Sequence, residues 1–154
     1  MVDIKVVELE SVECMAIEEE VDNDKIPAVM GRAFQDLSVF FQKNNVVMVG
    51  PPFAYYHSWG DRKTRMTVGF PVTHQTKSDG RVGPFTLPGG TVANAMHIGP
   101  YNKLVESYMA MHAWMSNNQL VPADKMWEVY LTDPDQEKDP EKWMTSMYWP
   151  CAKQ

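Results

Sequence analysis

The chain has 154 residues, 44% of them hydrophobic and 11% aromatic, which is one domain's worth of sequence with enough apolar mass for a core and too little for two. Its 20 acidic and 14 basic residues give a formal charge of -6, and no basic cluster is longer than "DRKTR", so neither a phosphate-backbone binder nor a basic membrane-surface protein is expected. No uncharged apolar run approaches about 18 residues, and the first 20 residues carry acids from Asp3 onward in place of a basic-then-apolar leader. The expectation is therefore a soluble, unprocessed chain, which its cysteine usage places in the cytoplasm.

In chain order, "IKVVEL" (4–9) and "ECMAIEEEV" (13–21) alternate as strands do. Cys14 and Cys151 lie far apart, in no C-x-x-C pair, which predicts two packed, reduced thiols. Behind "DNDKIP", with Asp and Asn as candidate caps and an early proline, apolar residues recur at three- and four-residue steps. They are Ile26, Val29, Met30, Ala33, Phe34, Leu37, Phe40 and Phe41, and they predict an amphipathic helix. "FAYYHSW" (53–59) and "RMTVGFPVT" (65–73) read as strands, and the turn-rich "KSDGRVGPFTLPGG" reads as the seam between two halves. "TVANAMHI" (91–98) is the next strand. After "HIGPY", where Pro100 suits a first helical position, Leu104, Tyr108, Met111 and Met115 form a second helical stripe that "SNNQ" ends. "MWEVYLT" (126–132) and "WMTSMYW" (143–149) complete the strands.

Displacing the chain by 74 residues aligns the halves without a gap from the helices into the strands that follow. Phe34 then meets Tyr108, Leu37 meets Met111, Phe53 meets Trp127 and Tyr56 meets Tyr130. After a longer loop in the second half, "GFPV" meets "YWPC", so Phe70 faces Trp149 at an offset of 79. Each half reads strand, helix, strand, strand, over about 10–75 and 90–152. Two such units would associate to cover their apolar faces, with a cleft near the pseudo-twofold axis.

In "KMWEVYLTDPD" the alternation puts Trp127, Val129 and Leu131 on one side and Met126, Glu128 and Tyr130 on the other. At the offset pairing Tyr56 with Tyr130, Glu128 is matched by Ala54, so the scaffold does not require the charge. A carboxylate enclosed among aromatic rings favours flat cationic molecules through Coulomb attraction and cation–π contacts of roughly 0.5–2 kcal/mol each. It also has the chemistry of a general acid or base. The bland alternative, an edge strand with Glu128 in water, stays open at this point. Composition leaves a similar choice: 12 Met with 6 Phe, 6 Tyr and 5 Trp suit either an adaptable surface for flat apolar ligands or a Met-rich core.

Taken in order, "GPPFAYYHS", "GFPV", "HIGPY", the helix ending "AWM", "WEVYLTDP" and "YWP" resemble the GyrI-like small-molecule-binding family, also called the AraC effector-binding domain, over nearly the whole chain. The resemblance implies an α+β fold, one domain over 1–154, in which duplicated strand-helix-strand-strand units form a curved antiparallel sheet with two main helices and a central cleft. It implies a cavity acid at Glu128, accompanied by the family's recurring tyrosines at Tyr130 and Tyr56. Phe70, Trp149 and Tyr108 complete the expected lining. In similar multidrug sensors that acid engages cationic aromatic compounds. Some stand-alone relatives are hydrolases of strained cyclopropanoids, where the equivalent acid activates water, and others bind a protein partner through an acidic surface. Two departures stand out: the sensor fold is expected to take up the whole chain, so that a DNA-binding regulator acting alone is not expected, and "AIEEEVDND" is more acidic than is usual at that place.

The four histidines, at 57, 74, 97 and 112, show no metal spacing, and neither cofactor nor metal is expected. His97 is expected to hydrogen-bond near the start of the second helix, with ligand contact as the alternative, and "EEE" at 18–20 to be a solvated strand end, with an acidic protein-binding patch as the alternative. The reading is a stand-alone sensor or sequestering protein for flat aromatic, cationic ligands, with strained-electrophile hydrolysis by Glu128 and acidic protein binding as the alternatives.

Overall fold

The computed structural model describes residues 3–154. In chain order its elements are β1 (Ile4–Leu9), β2 (Val12–Asp22), α1 (Ile26–Asn44), β3 (Phe53–Trp59), β4 (Lys63–Pro71), β5 (Gly83–Leu87), β6 (Gly90–Ile98), α2 (Leu104–Asn117), β7 (Leu120–Pro122), β8 (Met126–Tyr130) and β9 (Met144–Lys153). This is an α+β fold of antiparallel strands and two α-helices. The chain divides into two compact units, one of Glu10–Gly89 and one of the described residues up to Leu9 together with Gly90–Gln154. The seam falls inside the turn-rich stretch, as expected, but β1 belongs to the second unit because it pairs along its whole length with β6.

In the first unit the strand order is β3-β4-β2-β5. β2 carries a continuous buried run, Cys14 to Ile17, and both of its edges are paired, with β4 and β5. Helix α1 lays Val29, Ala33, Leu37, Phe40 and Phe41 on this sheet. Phe34 and Phe41 meet the ring of Phe70 edge-on, at 5.9 and 5.5 Å between centroids. The predicted Asp/Asn cap is not made: a 3-10 turn (Asn23–Lys25) precedes the helix, and Lys25, at the cap, has no side-chain cap bond. Asn23 is engaged elsewhere. Its amide donates to Gly60 O and its carbonyl accepts from Thr64 Oγ1, tying the helix start to the β3–β4 hairpin.

In the second unit the order is β1-β6-β9-β8, and β7 pairs with the far end of β9. Helix α2 covers one sheet face through a cluster that includes Ala93, Ala95, Leu104, Met111, Met115, Met147 and Trp149. Pro100 stands one step earlier than expected, as the extended residue before the 3-10 turn Tyr101–Lys103 that leads into α2. Met15, Met66, Met111, Met115 and Met147 are all fully buried, so much of the unusual methionine content packs the two cores.

The repeat recurs with one amendment. The α-helices start 78 residues apart, each from a lysine with nearly the same backbone angles: φ -105, ψ 2 at Lys25 and φ -104, ψ 1 at Lys103. Their ends are marked by left-handed residues 74 apart, Asn45 (φ 52) and Gln119 (φ 58). The second helix is thus about one turn shorter, and the ungapped alignment holds from the helix ends onward.

Both thiols are free and buried. Burial raises Cys14 to about 11, against a lowering backbone hydrogen bond, and burial likewise raises Cys151. Iodoacetamide at pH 8 is therefore expected to leave both unmodified in the folded chain and to alkylate both in denaturant. Free-thiol rates in the folded protein would refute this packing.

Candidate functional site

Strand β8 pairs with β9 so that Glu128 stands opposite Met147 and Tyr130 opposite Thr145, while Trp127 stands opposite Tyr148. Directly opposed residues project to the same side of a sheet. Met147 belongs to the cluster under α2, so Glu128 and Tyr130 also lie on the helix-covered face. Trp127 takes the other face and stacks on Tyr148, with centroids 5.6 Å apart and planes 16° from parallel. The strand alternates as its sequence predicts, and the helix overhead turns the charged face inward.

Glu128 is 4% exposed. Its Oε1 accepts from Tyr130 Oη at 2.6 Å, and its Oε2 accepts a short bond from Tyr108 Oη on α2. Enclosing a carboxylate costs several kcal/mol, and hydrogen bonds to a charged group return about 1.5–3 kcal/mol each. Two phenolic donors, one per oxygen, therefore offset much of the cost of keeping this acid ionised inside a protein.

Aromatic rings flank the acid. Tyr108 meets Trp149 edge-on at 6.0 Å. Tyr130 meets Tyr101 at 5.6 Å, and Tyr101 in turn lies 4.9 Å from Trp143. Partial burial raises the Tyr101 hydroxyl above its usual range, and the negative charges of Glu128 and Asp133 add to that, so the field of Glu128 reaches this ring. Tyr101 and Trp143 were not among the expected site residues. The only trace of them in sequence was their place in "HIGPY" and "WMTSMYW", where the helix start and strand accounted for them.

His97 behaves as expected. Nε2 lies 3.1 Å from Pro100 O, an acceptor only, so this nitrogen carries the proton. Nδ1 then accepts from Ser107 Oγ at 2.7 Å. The ring pins the start of α2 to β6, and with it the neighbour of Ser107 in sequence, Tyr108.

Of the six expected lining residues, Glu128, Tyr130, Tyr108 and Trp149 come together within the second unit. Phe70 and Tyr56 belong to the first. Phe70 is packed among the rings under α1, and Tyr56, half-buried on β3, pairs with Met66 just before a register shift at His57. The "EEE" run lies on β2, where Glu18 meets Arg65, Glu19 meets Arg81 and Glu20 meets Lys63, so it is internally compensated. Two grooves of the first unit, of about 310 and 250 Å³, are lined by none of the expected residues. One runs beside Glu19, Asp22, Lys25 and Arg32, and the other beside Asp36, Phe40, Lys43 and Arg81.

No described helix is long and apolar enough to cross a membrane. A family profile described as the GyrI-like small molecule binding domain matches residues 3–152. No curated protein matches the chain by sequence. Among solved structures, the chain is similar to EcmrR. Its crystallised C-terminal domain superposes with a TM-score of 0.84 at 18% identity, covering 100% of this chain and 99% of that one. In the EcmrR–DNA complex the TM-score is 0.86 at 17% identity, covering 99% of this chain and 58% of the EcmrR chain. SAV2435 bound to tetraphenylphosphonium is similar at TM-score 0.69 and 15% identity, covering 97% and 94% of the two chains. A hydrolase from Listeria innocua follows at 0.65 and 16%, covering 97% and 91%. At these identities the structural likenesses establish the fold alone.

Proposed function

Because the chain belongs to the family of GyrI-like small-molecule-binding domains, we propose that Glu128 and the rings around it recognise an aromatic organic cation, in a sensing or sequestering role. In this reading the 154 residues act as one domain. The observation that carries it is a carboxylate 4% exposed, held by the hydroxyls of Tyr108 and Tyr130, with the Tyr101 ring close to Tyr130. Such an arrangement offers a cation what water offers it, negative charge and polarisable density, without the water. The family match supports a small-molecule ligand, and the tetraphenylphosphonium held by SAV2435 supports a cationic one.

Calorimetric titration with tetraphenylphosphonium and with neutral triphenylphosphine oxide tests the charge requirement. The cation is expected to bind at least about tenfold more tightly, a difference of about 1.4 kcal/mol. Equal affinities, or binding of neither compound, would overturn the reading.

A further inference from the structure

Among the described residues, the helix-covered face of the second unit contains a polar atom that the fold leaves unsatisfied. Thr145, on β9, is 0% exposed, and its Oγ1 has no hydrogen-bond partner among the described residues. The polar groups beside it are served: His97, opposite it on β6, by Ser107 and Pro100, and Tyr130, opposite it on β8, by Glu128. Valine has the same shape, suits a strand as well, and would avoid the cost of an unsatisfied buried hydroxyl. Nothing in the fold calls for the oxygen.

We propose that Thr145 is a ligand-contacting residue of the Glu128 site, and that the site selects aromatic cations bearing N–H donors, such as primary ammonium or amidinium groups, over quaternary ones. The proposal rests on the reading of Glu128 given above. Register supplies the geometry. Tyr130 opposes Thr145 and Glu128 opposes Met147, so Thr145 is the diagonal neighbour of Glu128, about 7–8 Å away between backbones and less between side-chain tips. A single nitrogen donating to both oxygens through N–H bonds at their usual angle spans about 5 Å at ordinary hydrogen-bond lengths, a reach suited to side-chain tips that lie closer than the backbones. One N–H donates to the carboxylate of Glu128 and a second donates to Thr145 Oγ1. Tyr130, half-buried, is the side chain that yields to admit the head group. A quaternary centre has charge but no donor, so it gains the Coulomb attraction and leaves Thr145 unserved.

The test is a matched pair, 1-naphthylmethylammonium and its N,N,N-trimethyl homologue, titrated calorimetrically into wild type, Thr145→Val, Thr145→Ser and Glu128→Gln, with the melting temperature of each unliganded variant recorded. Wild type is expected to prefer the primary ammonium about tenfold. Thr145→Val should abolish the preference by weakening the primary ammonium only, while its unliganded melting temperature holds or rises. Thr145→Ser should retain the preference. A Thr145→Val protein with an unchanged ratio, or with both cations weakened equally, overturns the proposal, as does a wild type without preference. If Glu128→Gln weakens both cations while Thr145→Val leaves their ratio intact, the inference about Thr145 fails and the cation reading stands. If wild type binds neither compound, both fail.

Discussion

In Glu128→Gln, affinity for tetraphenylphosphonium is expected to fall between about tenfold and a hundredfold, while affinity for triphenylphosphine oxide stays within about twofold. At an effective dielectric of about 20, opposite unit charges 5 Å apart attract by about 3 kcal/mol. Part of that is lost to desolvation of the acid, which leaves roughly 1.4–2.8 kcal/mol to disappear with the charge. The amide keeps the size of the carboxylate and one acceptor oxygen, so one tyrosine still donates to it. The other phenol rotates to accept from the new NH2 group. The fold should therefore survive, with a melting temperature within a few degrees of wild type. Calorimetry of both compounds against both proteins decides the matter, and undiminished phosphonium binding by the variant would exclude Glu128 as the recognising charge.

The largest effect on stability is expected at Gly69. This residue sits mid-strand on β4, paired with Ala16 on β2 and with Phe53 on β3. A Cβ placed there would lie 2.5 Å from both Ala16 Cβ and Met15 O, and 2.9 Å from Ala16 Cα. The obstacles include backbone of a hydrogen-bonded neighbour, so no rotamer change relieves them and the β2–β4 ladder must part. Overpacking of this kind costs about 3 kcal/mol or more, which in a chain of this size lowers the melting temperature by roughly 6–12 °C. Two variants make the result specific. Gly31→Ala, inside α1 where an added Cβ meets nothing within 4 Å, should be neutral or stabilising by up to about 1 kcal/mol. Adding Ala16→Gly to Gly69→Ala should recover part of the loss by removing one of the two closest contacts. A thermal melt of Gly69→Ala matching wild type would refute the argument.

Most of the architecture was legible because alternation and helical periodicity are direct consequences of backbone geometry. "IKVVEL" and "FAYYHSW" coincide with β1 and β3. Strand β5 was hidden, since glycines and prolines around Phe85 spell a turn. It forms because it is an edge strand, paired among the described strands with β2 alone, where Pro84 is tolerated. Strand β7 is three residues long and ends in Pro122, too short for any pattern. The one-turn difference between the helices was invisible for a deeper reason. A slip of four residues returns almost the same helix face, so Ser107, Met111 and Met115 match Val29, Ala33 and Leu37 as well as they match Ala33, Leu37 and Phe41.

At the site, alternation gave the side of the strand on which Glu128 lies and left open what covers that side. The answer depends on where α2 packs, a long-range fact fixed by Met111, Met115 and Met147, whose burial local sequence does not disclose. The tyrosine on Tyr130's side follows from a two-residue spacing, whereas Tyr108 reaches the acid from another element. Thr145 carried no signal, because threonine is an ordinary strand residue until its hydroxyl is found without a partner.

The placement of β1 bears on how the chain matures during translation. Residues 10–89 form a contiguous stretch that can close as it leaves the ribosome, whereas β1 finds its complement, β6, only after that entire stretch has been made. At roughly 5–20 residues per second the leading segment waits about 4–16 s with both edges open, an interval in which a holdase would be most useful. Moving residues 3–9 behind the C-terminus by circular permutation would abolish the wait, and the yield of soluble protein from cells lacking such holdases would measure how much it matters.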